Sequence, residues 1–496
     1  MSLRVACRAV LIFAAVAFCG IYVFPLTALL VRASKEGWYP AQGWVLSARQ
    51  GGLFLETVGL TAGATATAIV LSLPAAACWS RRGASSAITI GMAACMIVSP
   101  MTMCFGWQHL LKLNGAPSSF GHLGTVLIWA GWTWPIPALL LGEAWRRGSR
   151  EAYEAALLCC NRRQAFVHVA LPGMRAALAA SALAVGTLLV TEFVTPHAWG
   201  LNVYATELLA AAESSSRTLD TVGPALPVCL CAWLGLMLVS RMRRRLAGEG
   251  GVSEPSYAGA PSLQMRIAAL AVVVFTVIVP VSGAAYRMQS WRWLGEALRV
   301  HGGDLTGSLA TAAAASAAAV CIATAVVMSR WFGAMTVAVA VGVGVMPAVL
   351  VGEAIICGYG GWSPTQDHWV KLAAGWAARF GWLPVVAALA TSARSREIEE
   401  QAVVDGADAS RIAWSLRVRR QAPLILAGGA AAGALSLGDL ATTVQAQVSS
   451  FVPISMVLVD KMHKFEDGYV LAISLILALV AAPCVAAAAW AVRRVS

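Results

Sequence analysis

Four ionisable side chains lie inside otherwise apolar runs, where a charge is expensive and marks function by default. Glu192 stands in Leu188-Leu189-Val190-Thr191-Glu192-Phe193 and Asp439 in Ser436-Leu437-Gly438-Asp439-Leu440, 247 positions apart. Arg379 stands in Ala377-Ala378-Arg379-Phe380, and Glu353 in Val351-Gly352-Glu353-Ala354. The chemistry open to such groups is electrostatic. The two carboxylates can form a gate or a solute path, or serve as hydrogen-bonded packing residues. Arg379 can balance an acid, attract an anionic solute or snorkel to an interface, and Glu353 divides between path and packing in the same way.

Two polar islands stand earlier along the chain from these acids. The first reads Tyr153-Glu154-Ala155-Ala156-Leu157-Leu158-Cys159 and continues Phe166-Val167-His168-Val169-Ala170-Leu171-Pro172. The second reads Glu399-Glu400-Gln401-Ala402-Val403-Val404-Asp405-Gly406-Ala407-Asp408 and continues Ile412-Ala413-Trp414-Ser415-Leu416-Arg417-Val418-Arg419. Each predicts a short amphipathic helix with an acidic face. Gly406 supplies the positive φ that a helix C-terminus favours, and Glu399, Glu400 and Asp405 are placed to meet basic residues of another protein.

The elements that position these groups must be membrane spans. Hydrophobic residues make up 59% of the 496 and charged residues 12%. That balance excludes a soluble globule, because the apolar runs reach the roughly 20 residues needed to cross a bilayer. Between charge clusters the runs are 9–31, 54–79, 86–107, 121–143, 174–196, 222–240, 264–286, 306–328, 332–357, 372–394, 421–446 and 468–491. The expected fold is therefore an all-α polytopic membrane protein of about twelve spans. The first run, 9–31, reads as a retained helix and not as a cleaved leader. Arginines cluster in alternate loops, which places both termini inside the cell. The net charge of +12 then reflects topology and contact with anionic lipid and gives no case for nucleic acid. The cysteines inside the runs read as small apolar filler, and the histidines show no metal-ligand spacing.

The chain repeats. Pro172 and Arg419 are 247 apart, as are Glu192 and Asp439. An even number of spans separates the copies, so the halves lie parallel about an axis along the membrane normal. The expected units are 1–245, with its loop at 151–172, and 263–496, with its loop at 398–420. Between them, 246–262 has a linker's composition.

The two islands resemble the EAA loop of ABC-importer permeases, the signature through which a membrane subunit grips its ATPase. The copies depart from it differently. In the first, the family's Gly position falls on Cys159 and Glu154 is one place late; in the second, Leu-Pro becomes Val418-Arg419. The resemblance implies ATPase coupling through Glu154, Ala155, Ala156, Cys159, Leu171 and Pro172, and through Glu399, Glu400, Ala402 and Gly406. It also implies a fused double permease of a bacterial inner membrane, similar to those for ferric iron or thiamine. An extracytoplasmic binding protein would deliver the solute, and a cytosolic ATPase dimer would use ATP and Mg. The sequence has no Gly-x-x-x-x-Gly-Lys-Ser/Thr loop, so ATP is expected to be hydrolysed by a partner; no cofactor or metal is expected in this chain. The alternatives are an ion-coupled carrier and, with less support, a membrane enzyme. With the N-terminus inside, cysteine probes at 197–220 and 358–370 are expected to react with an impermeant maleimide in intact spheroplasts, and probes at 248–262 to stay unlabelled. Labelling of the linker from outside inverts the topology.

Overall fold

The computed structural model describes residues 3–36, 46–80, 86–113, 120–147, 150–214, 218–248, 262–288, 290–361, 368–389, 396–464 and 466–495. The chain is 88% helical with no strand among the described residues, as expected where a backbone in lipid must satisfy its own hydrogen bonds. In chain order the main helices are α1 (Arg4–Lys35), α2 (Ala48–Ser80), α3 (Ser86–Ile97), α4 (Pro100–Leu113), α5 (Gly121–Thr133) and α6 (Pro135–Arg147). The first loop holds α7 (Arg150–Cys159) and α8 (Phe166–Gly173), followed by α9 (Arg175–Leu189), α10 (Val194–Ala198), α11 (Tyr204–Ser214) and α12 (Leu219–Gly248). The remainder comprises α13 (Leu263–Tyr286), α14 (Arg292–Met328), α15 (Arg330–Gly344), α16 (Ala348–Tyr359), α17 (Trp369–Leu389), α18 (Arg396–Val404), α19 (Arg419–Ser436), α20 (Ala441–Gln445), α21 (Ile454–His463) and α22 (Asp467–Val495).

This is a multi-pass membrane protein. Among the described residues seven helices are long and apolar enough to cross a bilayer, or up to eleven if each bent pair counts as one span. The expected run without a counterpart among these, 421–446, corresponds in part to α19, which opens on Arg419, Arg420 and Gln421 and is otherwise rich in alanine and glycine. The expectation of unbroken spans is corrected at several places. α3 and α4 meet at 94°, and α15 and α16 at 113°. Pro100 and Pro347 stand at these bends, 247 apart. Proline has no N–H to donate and pushes the residue before it out of the helical region, which ends the first helix of each pair. α14 also begins well before the expected 306; its 37 residues span about 55 Å, more than the hydrocarbon layer requires. Of the expected linker, 249–261 lies outside the described residues, and α12 runs on to Gly248.

Two arms bind the molecule together. α1 leaves its own sequence neighbours and packs on the second half, where the Tyr22 hydroxyl donates to the Ala377 carbonyl (3.1 Å) and the Tyr359 hydroxyl donates to the Gly20 carbonyl (2.8 Å). α13 does the reverse. Trp134 Nε1 donates to Thr276 Oγ1 (3.3 Å), and Cys95 Sγ lies 3.2 Å from the same hydroxyl. Both arms contain a π-helical turn just before a proline, Cys19–Val23 ahead of Pro25 and Val274–Ile278 ahead of Pro280. The wider turn accommodates the N–H that proline lacks. Close approach comes from small residues, as is usual between helices in lipid. A Cβ on Gly106 would sit 2.1 Å from the Pro280 carbonyl oxygen. Gly106→Val is therefore expected to pry α4 from the α13 arm and to destabilise the protein by about 2 kcal/mol or more. Gly51→Ala, where nothing lies within 4 Å, is expected to be neutral. Thermal unfolding in detergent compares the two.

Candidate functional site

The intramembrane charges are built on helix breaks. α9 stops at Leu189 and α19 at Ser436, so Glu192 and Asp439 lie in short non-helical stretches ahead of α10 and α20. The expected runs 174–196 and 421–446 are thus each interrupted at their acid. Glu192, partly buried, works at its break as a cap. Its Oε1 accepts from the Val194 N–H (2.8 Å) and the Thr195 N–H (3.2 Å), and its Oε2 from Trp129 Nε1 (2.5 Å). Asp439 is buried and its side chain lies beside Thr442. Its backbone carbonyl accepts the hydroxyls of Thr443 (2.5 Å) and Ser455 (2.9 Å).

Arg379 joins this pair. Its Nη1 donates to the carbonyls of Gly344 (3.0 Å) and Met346 (2.6 Å), at the buried C-terminal end of α15 and its 113° bend. A guanidinium there satisfies two orphan acceptors and opposes the negative end of the helix dipole. The same side chain interacts electrostatically with both Asp439 and Glu192. Three of the four charges found separately in the sequence are thus brought into one neighbourhood. Glu353 is not one of them; its charged neighbours are Arg32 and Glu36 at the end of the α1 arm.

Two tryptophans complete the arrangement, and sequence reasoning passed over both. Trp129 and Trp376 are fully buried and 247 apart. Trp129 Nε1 donates to Glu192, and Trp376 Nε1 donates to Thr443 Oγ1 (3.0 Å). The offset that relates Glu192 to Asp439 relates these rings too, and that was the signal available for finding them.

The second polar island folds as expected at its glycine. Gly406 has φ +76°, the Gly406 N–H donates to the Val403 carbonyl (3.0 Å) and the Ala407 N–H to the Ala402 carbonyl (2.9 Å), which is the Schellman closure of α18. The acidic face is divided. Glu400 and Asp405 are exposed, but Glu399 is buried against Arg417 in a two-point ion pair at 2.8 and 3.0 Å. Glu399 thus braces the loop from within and does not lie on the exposed acidic face with Glu400 and Asp405. Arg4 adds a contact to Asp408 at 3.0 Å, so the start of α1 and this loop lie at the same end of the bundle. The Ser410 hydroxyl, and after it Arg4, holds the Asp408 carboxyl below its usual range. The contact is therefore complete at neutral pH and is lost only as pH falls through that lowered value.

In the first island Glu154, Ala155 and Cys159 are exposed on α7, Ala156 is partly buried, and Leu171 and Pro172 close α8. α7 ends at Cys159, and the turn falls on Cys160, whose N–H donates to the Ala156 carbonyl (2.9 Å). Asn161 then caps the next turn: its Oδ1 accepts the Gln164 N–H (2.9 Å), and Gln164 Oε1 accepts the Asn161 N–H (3.2 Å). Both loop helices end on an apolar tip. Leu158 is 89% exposed and Val404 86%, the highest values for any large hydrophobic residue among those described. Each stands four residues after its glutamate, Glu154 or Glu400.

Among the described residues no three His, Cys, Asp or Glu side chains gather as a metal ion would require. Compared with protein families, curated proteins and solved structures, the chain matches none. Arg417→Ala takes a two-point partner from the buried Glu399, so it is expected to cost roughly 2 kcal/mol and to loosen the second loop. Limited proteolysis between 396 and 420 should accelerate, while cleavage of the first loop stays unchanged.

Proposed function

We propose that this chain is the membrane-spanning permease subunit of an ATP-driven ABC importer, with two parallel six-helix repeats fused in one polypeptide. The observation that carries the reading is the matched pair of loop helices. Two short amphipathic helices about half a chain apart each present an exposed apolar tip four residues beyond an exposed glutamate. An apolar side chain almost wholly in water is costly to keep alone and suits a pocket on another protein. Two such tips on one chain suit a partner with two equivalent pockets, as a cytosolic ATPase dimer has. The carboxylates of Glu154 and Glu400 would add charge complementarity at the rim of each contact.

In this reading ATP-driven closure of the ATPase dimer draws α7 and α18 together, and the helices above them carry the motion to the breaks at Glu192 and Asp439. The bends at Pro100 and Pro347 and the α1 and α13 arms make the two halves respond as one unit. The cargo is a small solute of the ferric-iron or thiamine kind, passed on by an extracytoplasmic binding protein at the opposite face. The membrane is the bacterial inner membrane, with both termini in the cytoplasm.

One observation favours a second reading. Bent and broken spans with charged groups at the breaks also occur in ion-coupled carriers, and four of the candidate spans here are bent by more than 40°. The two readings separate on energy source. Leu158→Asp and Val404→Asp, at sites too exposed to matter for folding, are expected to leave insertion and thermal stability unchanged. Each should reduce copurification of a Walker-motif ATPase from native membranes, and together they should abolish it along with ATP-dependent uptake in vesicles. Gly406→Val, which forces a β-branched residue to positive φ, is expected to act like Val404→Asp. Full uptake by the double variant, driven by an ion gradient without ATP, refutes the permease reading.

A further inference from the structure

Glu192 and Asp439 occupy matching positions but are wired differently. Both oxygens of Glu192 are engaged, by the Val194 and Thr195 N–H groups and by Trp129. In the second half the tryptophan has moved off the carboxylate. Trp376 donates to Thr443 Oγ1, and that hydroxyl donates to the Asp439 backbone carbonyl, as does the Ser455 hydroxyl. The carboxylate keeps Thr442 beside it at the start of α20, but Asp439 Oδ2 is buried without a hydrogen-bond partner, on a residue only 9% exposed. Arg379 does not supply that partner, because its hydrogen bonds go through Nη1 to the carbonyls of Gly344 and Met346. In the first half the residue 247 before Arg379 is Trp132, which carries no charge.

Asp439 also stands at the seam between the halves. Its neighbour Gly438 packs so closely on Ser99, at the α3–α4 bend, that a Cβ there would lie 2.5 Å from the Ser99 hydroxyl oxygen. An unsatisfied acceptor at such depth is costly, and a native fold keeps one where it has a use.

We infer that Asp439, and not Glu192, is the carboxylate a solute meets on its way across, and that its free oxygen takes a hydrogen-bond donor, N–H or O–H, carried by that solute. Glu192 is a positioning residue, which with Trp129 fixes the first-half break and the short helix α10 behind it. Arg379 keeps the second-half bend in place and supplies the counter-charge. The inference rests on the permease reading for the existence of a path, and adds to it that the path is chemically one-sided.

The test uses the intact protein in native membranes. Dicyclohexylcarbodiimide, an apolar reagent for carboxyl groups in hydrocarbon surroundings, is applied and the product mapped by peptide mass spectrometry. Modification is expected on Asp439 and not on Glu192. Asp439→Asn is expected to lose ATP-dependent uptake with unchanged thermal stability and unchanged ATPase copurification. Glu192→Gln and Trp129→Phe are expected to lower the melting temperature by similar amounts while the carbodiimide label on Asp439 is kept. Modification of Glu192 in preference to Asp439, equal modification of both, or wild-type uptake by Asp439→Asn overturns the assignment. A wild-type protein without ATP-dependent uptake refutes the permease reading instead, and the labelling contrast between the two carboxyls is read independently of it.

Discussion

Where a helix stops inside a bilayer, its last N–H and C=O groups face hydrocarbon in place of water, and each one left unpaired costs several kcal/mol. This chain breaks its helices at Ser99, at Gly344–Met346, at Glu192 and at Asp439, so it must bring polar groups to each break. Glu192 receives the N–H groups at the start of α10, and Arg379 donates to the carbonyls at the end of α15. Hydroxyls of Thr443 and Ser455 close the remaining carbonyl at Asp439. Glu192 and Arg379 are therefore first of all the partners of broken backbone.

The arms follow from the same need for close, satisfied packing. α1 and α13 each cross to the other half, and each is fastened by hydroxyl or indole hydrogen bonds at about the same height as its π turn. Glycine and alanine let the backbones approach, and the gain is dispersion and hydrogen bonding, since lipid tails offer no hydrophobic drive between helices. One half cannot shift without dragging the arm of the other.

The loops are less alike than their sequences suggest. α18 is braced by the buried Glu399–Arg417 pair, closed at Gly406 and touched by Arg4. α7 has a cysteine at the corresponding turn and an Asn161–Gln164 cap after it. What they share is the exposed tip, Leu158 or Val404. A stiff loop and a plainer one presenting the same apolar tip are consistent with one contact surface engaged twice on differing supports.

Composition and the length of the apolar runs determined the class of this protein, because crossing hydrocarbon requires about twenty apolar residues whatever the neighbours are. The 247-residue offset was legible too, as was the positive φ of Gly406, because a helix C-terminus constrains a few adjacent residues only. Bends at Pro100 and Pro347 were partly legible, since proline acts locally, but their angles depend on what packs against them. The crossing of α1 and α13, the meeting of Arg379 with Asp439 and Glu192, and the burial of Glu399 under Arg417 were decided by the tertiary structure alone. Each joins residues far apart in the chain, and a linear pattern reports a residue's own environment, not its distant partner. For the same reason the sequence presented Glu192 and Asp439 as equals: the difference between them lies in which neighbours donate to each, and only the packed helices choose those donors.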